Sequence, residues 1–240
     1  MKSNLANTEP QTVWALNNSR FVAGHSAELL GVDFSEMPEW EQFQGYWENL
    51  ELDRYMNDGG MYRYRRFGKF KWYANGNRLE QQPHVPYSQP EYFNPLNGGI
   101  DRHFAPVTAE MADNEVLKKL LLKLANTFSE IEDVQGWKIN TYFNRILATP
   151  DMTGLPVPEG KHRDGVKFSC LFMADRRGVI GGETTLVDIM HQQPIYVGTL
   201  EKPCQALLFR DDTVFHDTTA IQICDGADSG YRDLLVIEFH

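Results

Sequence analysis

The sequence predicts a mainly β fold with flanking helices, and two observations support this prediction. The C-terminal half is a series of short runs rich in β-branched and aromatic residues, separated by clusters of Gly, Pro and Asp. The N-terminal half carries helical periodicity and one long alternating segment. Because short strands without intervening helices are typical of sandwiches and barrels, we favour a jelly roll with helices packed on one outer face.

Helical periodicity marks two segments of the N-terminal half. Trp40, Phe43 and Trp47 follow helical spacing in the segment that begins at Ser35. The clearest helix begins after Asp113, a good N-cap residue, and has one continuous apolar face. That face consists of Val116, Leu117, Leu120, Leu121, Leu124, Phe128 and Ile131. We expect this helix to cover the core and to carry no chemistry.

Between these helices, aromatic and basic residues alternate over residues 61–72. A period of two predicts a strand with one aromatic face and one basic face. The basic face contains Arg63, Arg65 and, close by, Arg66. Two interpretations stay open: the arginines are solvated on an edge strand, or one of them faces a pocket and binds an anionic group of a substrate.

We expect a single domain over residues 1–240, because this length suits one sizeable core. Within it, about 1–20 are predicted to be loosely ordered and about 21–135 to form an N-terminal helical and strand elaboration. About 136–240 are predicted to form the jelly-roll core that carries any metal site. Its predicted strands span residues 137–147, 166–173, 184–188, 206–209, 213–218 and 233–239.

The charge and cysteine content limit the partners and the compartment. A net charge of −10 argues against nucleic acid or an anionic membrane as a partner, whereas a small-molecule substrate stays compatible. No apolar run approaches the about 20 residues that a membrane span needs. The scattered Cys170, Cys204 and Cys224 indicate a reducing compartment, so we expect a cytoplasmic protein. The sequence leaves a homodimer open.

The most informative motif is the His-Arg-Asp run at His162 to Asp164. Side chains at i and i+2 of an extended segment point to the same side, so the imidazole and the carboxylate can share a metal ion. His216, on a later predicted strand, offers a third ligand. Two histidines and one carboxylate form the facial triad of non-haem Fe(II) oxygenases, which leaves open positions for a cosubstrate and O₂.

A single arginine at the start of the last predicted strand, Arg232, supports this interpretation. A dicarboxylate cosubstrate such as 2-oxoglutarate chelates iron at its keto-acid end and leaves a distal carboxylate to be bound. A planar, permanently charged guanidinium suits that carboxylate through two parallel hydrogen bonds. The alternative for Arg232 is a surface salt bridge, for example with Asp233.

These residues resemble the bacterial 2-oxoglutarate/Fe(II)-dependent dioxygenases that hydroxylate free L-amino acids, among them the L-isoleucine and L-leucine hydroxylases. The resemblance covers roughly residues 60–239. It is carried by Arg65-Arg-Phe-Gly68, Tyr92-Phe-Asn-Pro-Leu-Asn-Gly-Gly99, Pro158-Glu-Gly-Lys-His-Arg-Asp-Gly165, Gly181-Gly-Glu-Thr184, Val214-Phe-His216 and Tyr231-Arg-Asp-Leu-Leu-Val236.

The resemblance implies a double-stranded β-helix core of the jelly-roll, cupin-like type. It also implies iron bound by His162, Asp164 and His216, with 2-oxoglutarate bound by Arg232. The sequence departs from the family in one place. Many relatives have a His-Gln pair before an arginine on the strand that precedes the metal loop, whereas this chain has aromatic residues before Arg145.

The implied activity is hydroxylation of an unactivated C–H bond of a free aliphatic L-amino acid of the leucine, isoleucine or methionine type, with release of succinate and CO₂. Alternatives are the same chemistry on a cyclic or N-modified amino acid or a peptide side chain. Outside this class stand a cupin-like metal-dependent hydrolase or isomerase and a non-catalytic binding jelly roll. The candidates for binding the substrate carboxylate are Arg145 and the Arg63 to Arg66 cluster, Arg65 included. Glu159 is the candidate for binding the ammonium group. The candidates for contact with the substrate side chain are Tyr142, Phe143 and Tyr64.

Overall fold

The structure, a computed structural model, describes residues 8–93, 96 and 98–240. Residues 1–7, part of the segment predicted to be loosely ordered, lie outside the described residues. From residue 8 the chain differs from that prediction, because Thr8–Asn18 form the helix α1. Thr12 and Leu16 of this helix are buried, and the Thr12 hydroxyl donates to the carbonyl of Leu29 at 2.8 Å. Contacts with later parts of the chain therefore order this helix.

The longest helix among the described residues is the predicted core-covering helix, α5 (Glu115–Ser129). Its N-cap is Asn114, whose side chain accepts from the backbone N–H groups of Val116 and Leu117. The predicted cap, Asp113, instead ends the preceding helix, α4 (Ala109–Asp113). No helix among the described residues has both the length and the apolar character needed to cross a membrane. The remaining bounds are α2 Ser26–Leu30 and α3 Trp40–Gly45, with 3-10 turns at Phe34–Glu36, Tyr46–Asn49 and Asp211–Thr213.

A large sheet forms the main layer, and its central strands are long and antiparallel. In spatial order it consists of β1 (Phe21–His25), β11 (Gln205–Arg210), β7 (Phe168–Arg177), β14 (Gly230–Phe239), β6 (Gly136–Ala148), β3 (Arg63–Tyr73) and β2 (Glu51–Leu52). Two further strands pair with β3, namely β4 (Arg78–Gln81), which is antiparallel, and β5 (Ala105–Pro106), which is parallel.

Smaller sheets form the second layer. One has the order β10 (Pro194–Gly198), β9 (Thr184–Asp188), β12 (Val214–Thr218), and the other pairs β13 (Ile221–Ile223) with β8 (Val179–Gly181). An apolar cluster joins the layers, because it combines Leu171 and Leu234 of the large sheet with Leu186 and Val214 of the smaller one. The mainly β, jelly-roll prediction is confirmed.

The helices cover the outer face of the large sheet and form the principal core with it. Phe128 of α5 stacks on Phe168 of β7 with ring centroids 4.4 Å apart, and Phe43 of α3 lies 6.0 Å from Phe143 of β6. Burial of each such side chain contributes about 1.5–3 kcal/mol. Since one face of the sheet is covered in this way, the alternate side chains of β3, β6, β7 and β14 point inward, between the layers.

Candidate metal and cosubstrate site

The inward side chains of the large sheet line a pocket. Because the strands are in register, these side chains form rows across neighbouring strands. One row contains Arg232, Ile146 and Arg63, the next Leu234, Asn144 and Arg65, and the next Val236, Tyr142 and Phe67. All of these residues except Phe67 line the pocket. Loop residues complete its wall, among them Glu159, Asp164, Tyr87 and Arg102.

His162, Asp164 and His216 meet at one side of this pocket. The Asp164 carboxylate lies 3.5 Å from Nε2 of His162 and 3.2 Å from Nε2 of His216. One ligand atom from each residue lies within 4.8 Å of the other two. Nε2 of His216 is buried and has no hydrogen-bond partner among the described residues. The three side chains therefore offer two imidazole nitrogens and a carboxylate oxygen that can converge on one divalent metal ion.

Backbone contacts hold this arrangement together. His162 and His216 form an isolated antiparallel bridge, with N–H to carbonyl distances of 3.0 and 2.8 Å. The bridge fastens the loop that carries His162 to β12. Nδ1 of His162 lies 2.9 Å from the carbonyl oxygen of Gly160, which accepts its proton. That hydrogen bond selects the tautomer whose Nε2 lone pair is free to bind a metal.

The electrostatics of the three side chains favour a bound cation. Burial alone would raise the pKa of Asp164, but His216 and His162 outweigh it and hold that pKa well below its usual range. Burial would likewise lower the pKa of His162, yet Asp164 and Glu159 raise it to about 9. The carboxylates thus attract positive charge to the imidazoles. A divalent metal ion can supply that charge in place of protons.

Asp211, which the sequence analysis did not single out, organises the metal loop. Its buried carboxylate accepts from three consecutive backbone N–H groups, those of Asp164 at 3.0 Å, Gly165 at 2.9 Å and Val166 at 3.1 Å. Since this single carboxylate satisfies all three donors, it sets the direction in which Asp164 points. An aspartate in a 3-10 turn just before the strand of His216 is the only signal that the sequence offers for this role.

We expect Asp211→Ala to weaken Fe(II) binding by about 10–100-fold, the usual effect of removing a group that orients a metal ligand. The three N–H groups would lose their acceptor, and the loop would no longer hold Asp164 in place. Fe(II) titration followed by calorimetry measures the effect. Asp212→Ala is the matched control, because Asp212 makes only partly exposed ion pairs with Lys167 and Arg210. Equal Fe(II) affinity in both variants would contradict this role.

Arg232 faces the same pocket from β14. It is 3% exposed, and its Nε and Nη2 have no hydrogen-bond partner within the described part of the chain. It makes no ion pair with Asp233, which lies on the opposite face of the strand. Burial and the neighbouring Arg176 lower the pKa of Arg232 to about 10. A buried, uncompensated guanidinium calls for an anion, and a carboxylate that enters the pocket would supply it.

A glycine provides the space beside Arg232. Gly182 has a φ of +73°, and a Cβ there would lie 3.4 Å from Cδ of Arg232 and 3.2 Å from Nη1 of Arg176. The left-handed backbone and the close approach both favour glycine at this position. The Gly181 to Thr184 motif therefore leaves space for the side chain of Arg232.

The residues predicted to contact the substrate lie on both faces of the large sheet or in the loops beside it. Arg65, Tyr142 and Glu159 line the pocket. Phe143 and Arg145 do not: Phe143 is buried in the core beneath the helices, and Arg145 donates to Asp233 at 2.7 Å and to Glu48 at 2.8 Å on the outer face. The expectation that Phe143 and Arg145 contact substrate is thus corrected, because alternate residues of β6 point to opposite sides.

The outer-face residues also include two members of the alternating segment in β3. Arg66 donates to the carbonyls of Asn49 and Pro106, and Tyr64 lies beside Arg145 in the strand register. Neither Tyr64 nor Arg66 lines the pocket. Of the arginines in this segment, Arg63 and Arg65 are the inward pair.

Several pocket residues carry no motif that would mark them in the sequence. Tyr87, Gln89 and Arg102 come from an irregular segment without periodicity, so no pattern marked them. Glu238 could have been found, because it follows Arg232 at an even spacing on the same strand. Its carboxylate accepts from the Tyr142 hydroxyl at 2.9 Å, and burial raises its pKa.

Residues 44–238 match the family model described as 2OG-Fe dioxygenase. The chain belongs to this 2OG-Fe dioxygenase family. Among solved structures, the dioxygenase is similar to a bsmA homolog from Methylobium petroleophilum PM1, with 33% identity, coverage of 97% of this chain and 92% of that chain, and a TM-score of 0.87. A comparison with curated proteins finds no match.

Two more distant structures share the fold of this dioxygenase. IDO from Bacillus thuringiensis is 17% identical over 100% of this chain and 97% of that chain, with a TM-score of 0.79. TqaL, an Fe(II)/(alpha)ketoglutarate-dependent dioxygenase, is 16% identical over 98% of this chain and 87% of that chain, with a TM-score of 0.76. At these identities the similarity concerns the fold alone.

Members of the family use Fe(II), 2-oxoglutarate and O₂, so the predicted cofactors are confirmed. The described residues fit this set. A His-Asp-His cluster with an unpartnered imidazole nitrogen suits Fe(II), and a buried arginine without a counterion suits a dicarboxylate. Membership of an oxygenase family also favours the predicted oxygenase over the cupin-like hydrolase or isomerase and over a non-catalytic binding module.

Proposed function

We propose that this dioxygenase hydroxylates an unactivated C–H bond of a free aliphatic L-amino acid of the leucine, isoleucine or methionine type. His162, Asp164 and His216 would hold the iron, and Arg232 would pair with the distal carboxylate of 2-oxoglutarate. One observation carries the proposal: the His-Asp-His cluster and the unpartnered Arg232 line the same pocket. When bound, Fe(II), 2-oxoglutarate and O₂ supply the oxidation of the C–H bond, with succinate and CO₂ as co-products.

The protein's part in this reaction is to hold and orient. The hydrogen bond from Nδ1 of His162 to Gly160 would keep Nε2 available to a bound metal ion, and Asp211 keeps the Asp164 loop in position. Arg232 would fix the cosubstrate by a two-pronged contact, which a guanidinium makes better than a lysine. The position of the bound substrate then selects the carbon that reacts, because a small displacement changes which C–H bond lies nearest the iron.

The lining of the pocket supports an aliphatic substrate of modest size. Leu171, Leu234 and Val236 line it, together with Ile146 and Tyr142. These side chains offer an apolar surface but no hydrogen-bond pattern for a peptide backbone. Apolar walls of this kind separate side chains that differ by one methylene only weakly, by about 1–3 kcal/mol.

Charged groups at the pocket wall support an amino acid rather than a hydrocarbon. Arg63 and Arg65 provide positive charge for an α-carboxylate, and Glu159, which lies 3.9 Å from Nε2 of His162, provides negative charge for an α-ammonium group. Glu159 is therefore our candidate for the ammonium partner. The same chemistry on a cyclic or N-modified amino acid or a peptide side chain is the alternative.

We expect free aliphatic L-amino acids to stimulate succinate formation from 2-oxoglutarate, and the corresponding amides to fail. A site that pairs a carboxylate rejects an analogue without it by a larger factor, about 10⁴–10⁵ in favourable cases, than it separates neighbouring side chains. The test is a screen of the twenty amino acids with Fe(II) and 2-oxoglutarate, repeated with leucinamide and methioninamide. Equal turnover of an amino acid and its amide would contradict the assignment. Turnover with N-acylated amino acids or peptides alone would select the alternative.

A further inference from the structure

Arg102 is a second buried arginine in the pocket. It is 2% exposed, and its Nε and Nη2 have no hydrogen-bond partner among residues 8–93, 96 and 98–240. Its guanidinium lies over the ring of Tyr87, at 4.6 Å from the centroid, and 5.5 Å from the centroid of Phe104. The stacking holds the guanidinium plane in place, whereas the N–H groups at its edge stay available.

Arg102 lies close to two other buried arginines, Arg65 and Arg63. Arg65 lies over the same Phe104 ring, at 4.7 Å, and is also buried. Asp53 is the carboxylate partner of Arg65, at 3.1 Å, but it is shared with Arg63, at 2.9 Å. Within the described part of the chain, Arg102 makes no ion pair. Asp53 is thus already shared by two arginines, and Nε and Nη2 of Arg102 have no partner among the described residues. Burial of an unpaired charge costs several kcal/mol unless an anion joins it.

Arg65, the neighbour of Arg102, is carried by a different strand from Arg232, the arginine proposed to bind 2-oxoglutarate. Arg65 is on β3 and Arg232 is on β14, and β6 lies between these strands. Two strand spacings put them about 10 Å apart across the sheet. The row of Arg65 is also one step further along the sheet than the row of Arg232. Arg65 and Arg232 therefore enter the pocket from different strands and different rows.

We infer that Arg102, supported by Arg65, is the carboxylate-binding subsite of the prime substrate. The occupant is an organic monocarboxylate whose apolar part extends over Tyr142 and Val236 toward the metal ligands. This inference relies on the proposed function only for the identity of that occupant as an amino acid. It replaces Arg145, which faces away from the pocket, with a residue that no sequence pattern had marked.

The experiment measures binding without turnover, by anaerobic calorimetric titration of the Fe(II)- and 2-oxoglutarate-loaded protein. The probes are L-leucine, L-leucinamide and 4-methylpentanoate, the last of which keeps the carboxylate and lacks the amino group. Arg102→Gln is expected to weaken leucine and 4-methylpentanoate by ~30-fold or more, as loss of a buried charged contact does, and to leave leucinamide and 2-oxoglutarate unchanged. Arg102→Lys should bind both carboxylates more tightly than Arg102→Gln but less tightly than wild type. Lysine keeps the positive charge but lacks the planar guanidinium that donates two parallel hydrogen bonds.

Arg66→Gln is the matched control, because Arg66 lies on the outer face of β3 and should leave all probes unaffected. Unchanged binding of both carboxylates in Arg102→Gln would overturn the inference. So would an equal loss for leucinamide, which would assign Arg102 a structural role, or a wild-type protein that binds neither carboxylate. If 4-methylpentanoate binds in an Arg102-dependent manner and leucine does not, the subsite stands and the proposed amino-acid substrate fails.

Discussion

Asp164→Ala is expected to reduce 2-oxoglutarate turnover and hydroxylation to the background of the assay. Asp164 supplies the only carboxylate that lies between the two imidazoles in the described structure, 3.5 Å from His162 and 3.2 Å from His216. Without it, two neutral imidazoles would have to hold a divalent ion. The loss of Fe(II) affinity should exceed the about 10–100-fold that removal of a group outside the ligand set produces.

Metal analysis and thermal unfolding separate this chemical effect from misfolding. The variant should unfold at nearly the midpoint of metal-free wild type, because Asp164 lies at the pocket wall rather than in an apolar cluster. Asp151→Ala, at an exposed turn, is the control and should keep both iron and activity. Full activity of Asp164→Ala with bound Fe(II) would refute the proposed ligand set.

The grouping of His162, Asp164 and His216 at one place could be predicted because its signal is local and strongly patterned. His162 and Asp164 are two residues apart on an extended segment, so their common direction follows from backbone geometry alone. The segment 184–188 was likewise predicted with the bounds of β9, because its alternation is undisturbed. Such features need no knowledge of which strands are neighbours.

The features that the sequence did not reveal depend on contacts between distant segments. Arg102 reaches the pocket only because an irregular segment pairs Arg102 with Tyr87 and sets it over Phe104. Asp211 acts on a loop far from it in the chain. Short edge strands such as β2 and β5 have no periodicity of their own and exist because β3 pairs with them. Non-local pairing of this kind leaves no period in the sequence.

The misassigned substrate contacts have a different cause. Tyr142 and Phe143 were both taken as pocket residues, although adjacent residues of a strand face opposite sides. Apolar residues occur in both sets of alternate positions of β6, because one face of the strand packs under the helices and the other lines the pocket. Only the observed register with Arg232 on β14 decides that Tyr142 faces inward, and with it that Arg145 faces outward.

Arg232→Ala is expected to raise the KM for 2-oxoglutarate by ~30-fold or more, because loss of a buried charged contact costs about 2–5 kcal/mol. Leucine binding should change much less, since the inferred substrate carboxylate lies at Arg102. The apparent KM for 2-oxoglutarate, measured by succinate formation at saturating amino acid, tests this, with 2-oxoglutarate affinity by calorimetry as a second readout. Arg232→Lys should fall between wild type and alanine, because an ammonium group keeps the charge but cannot make the two-pronged contact.

The fold should tolerate the change, which makes the kinetic effect interpretable. Arg232 has no ion pair within the described residues, so its removal leaves no buried carboxylate unpaired and relieves the repulsion from Arg176. Arg177→Ala is the control, since Arg177 is the exposed neighbour of Arg176 and pairs with Asp175. If the KM for 2-oxoglutarate is unchanged, the candidate for binding its distal carboxylate becomes Arg63, which shares the row of Arg232 across the sheet. Arg145 is not a candidate, because it lies on the opposite face of the sheet.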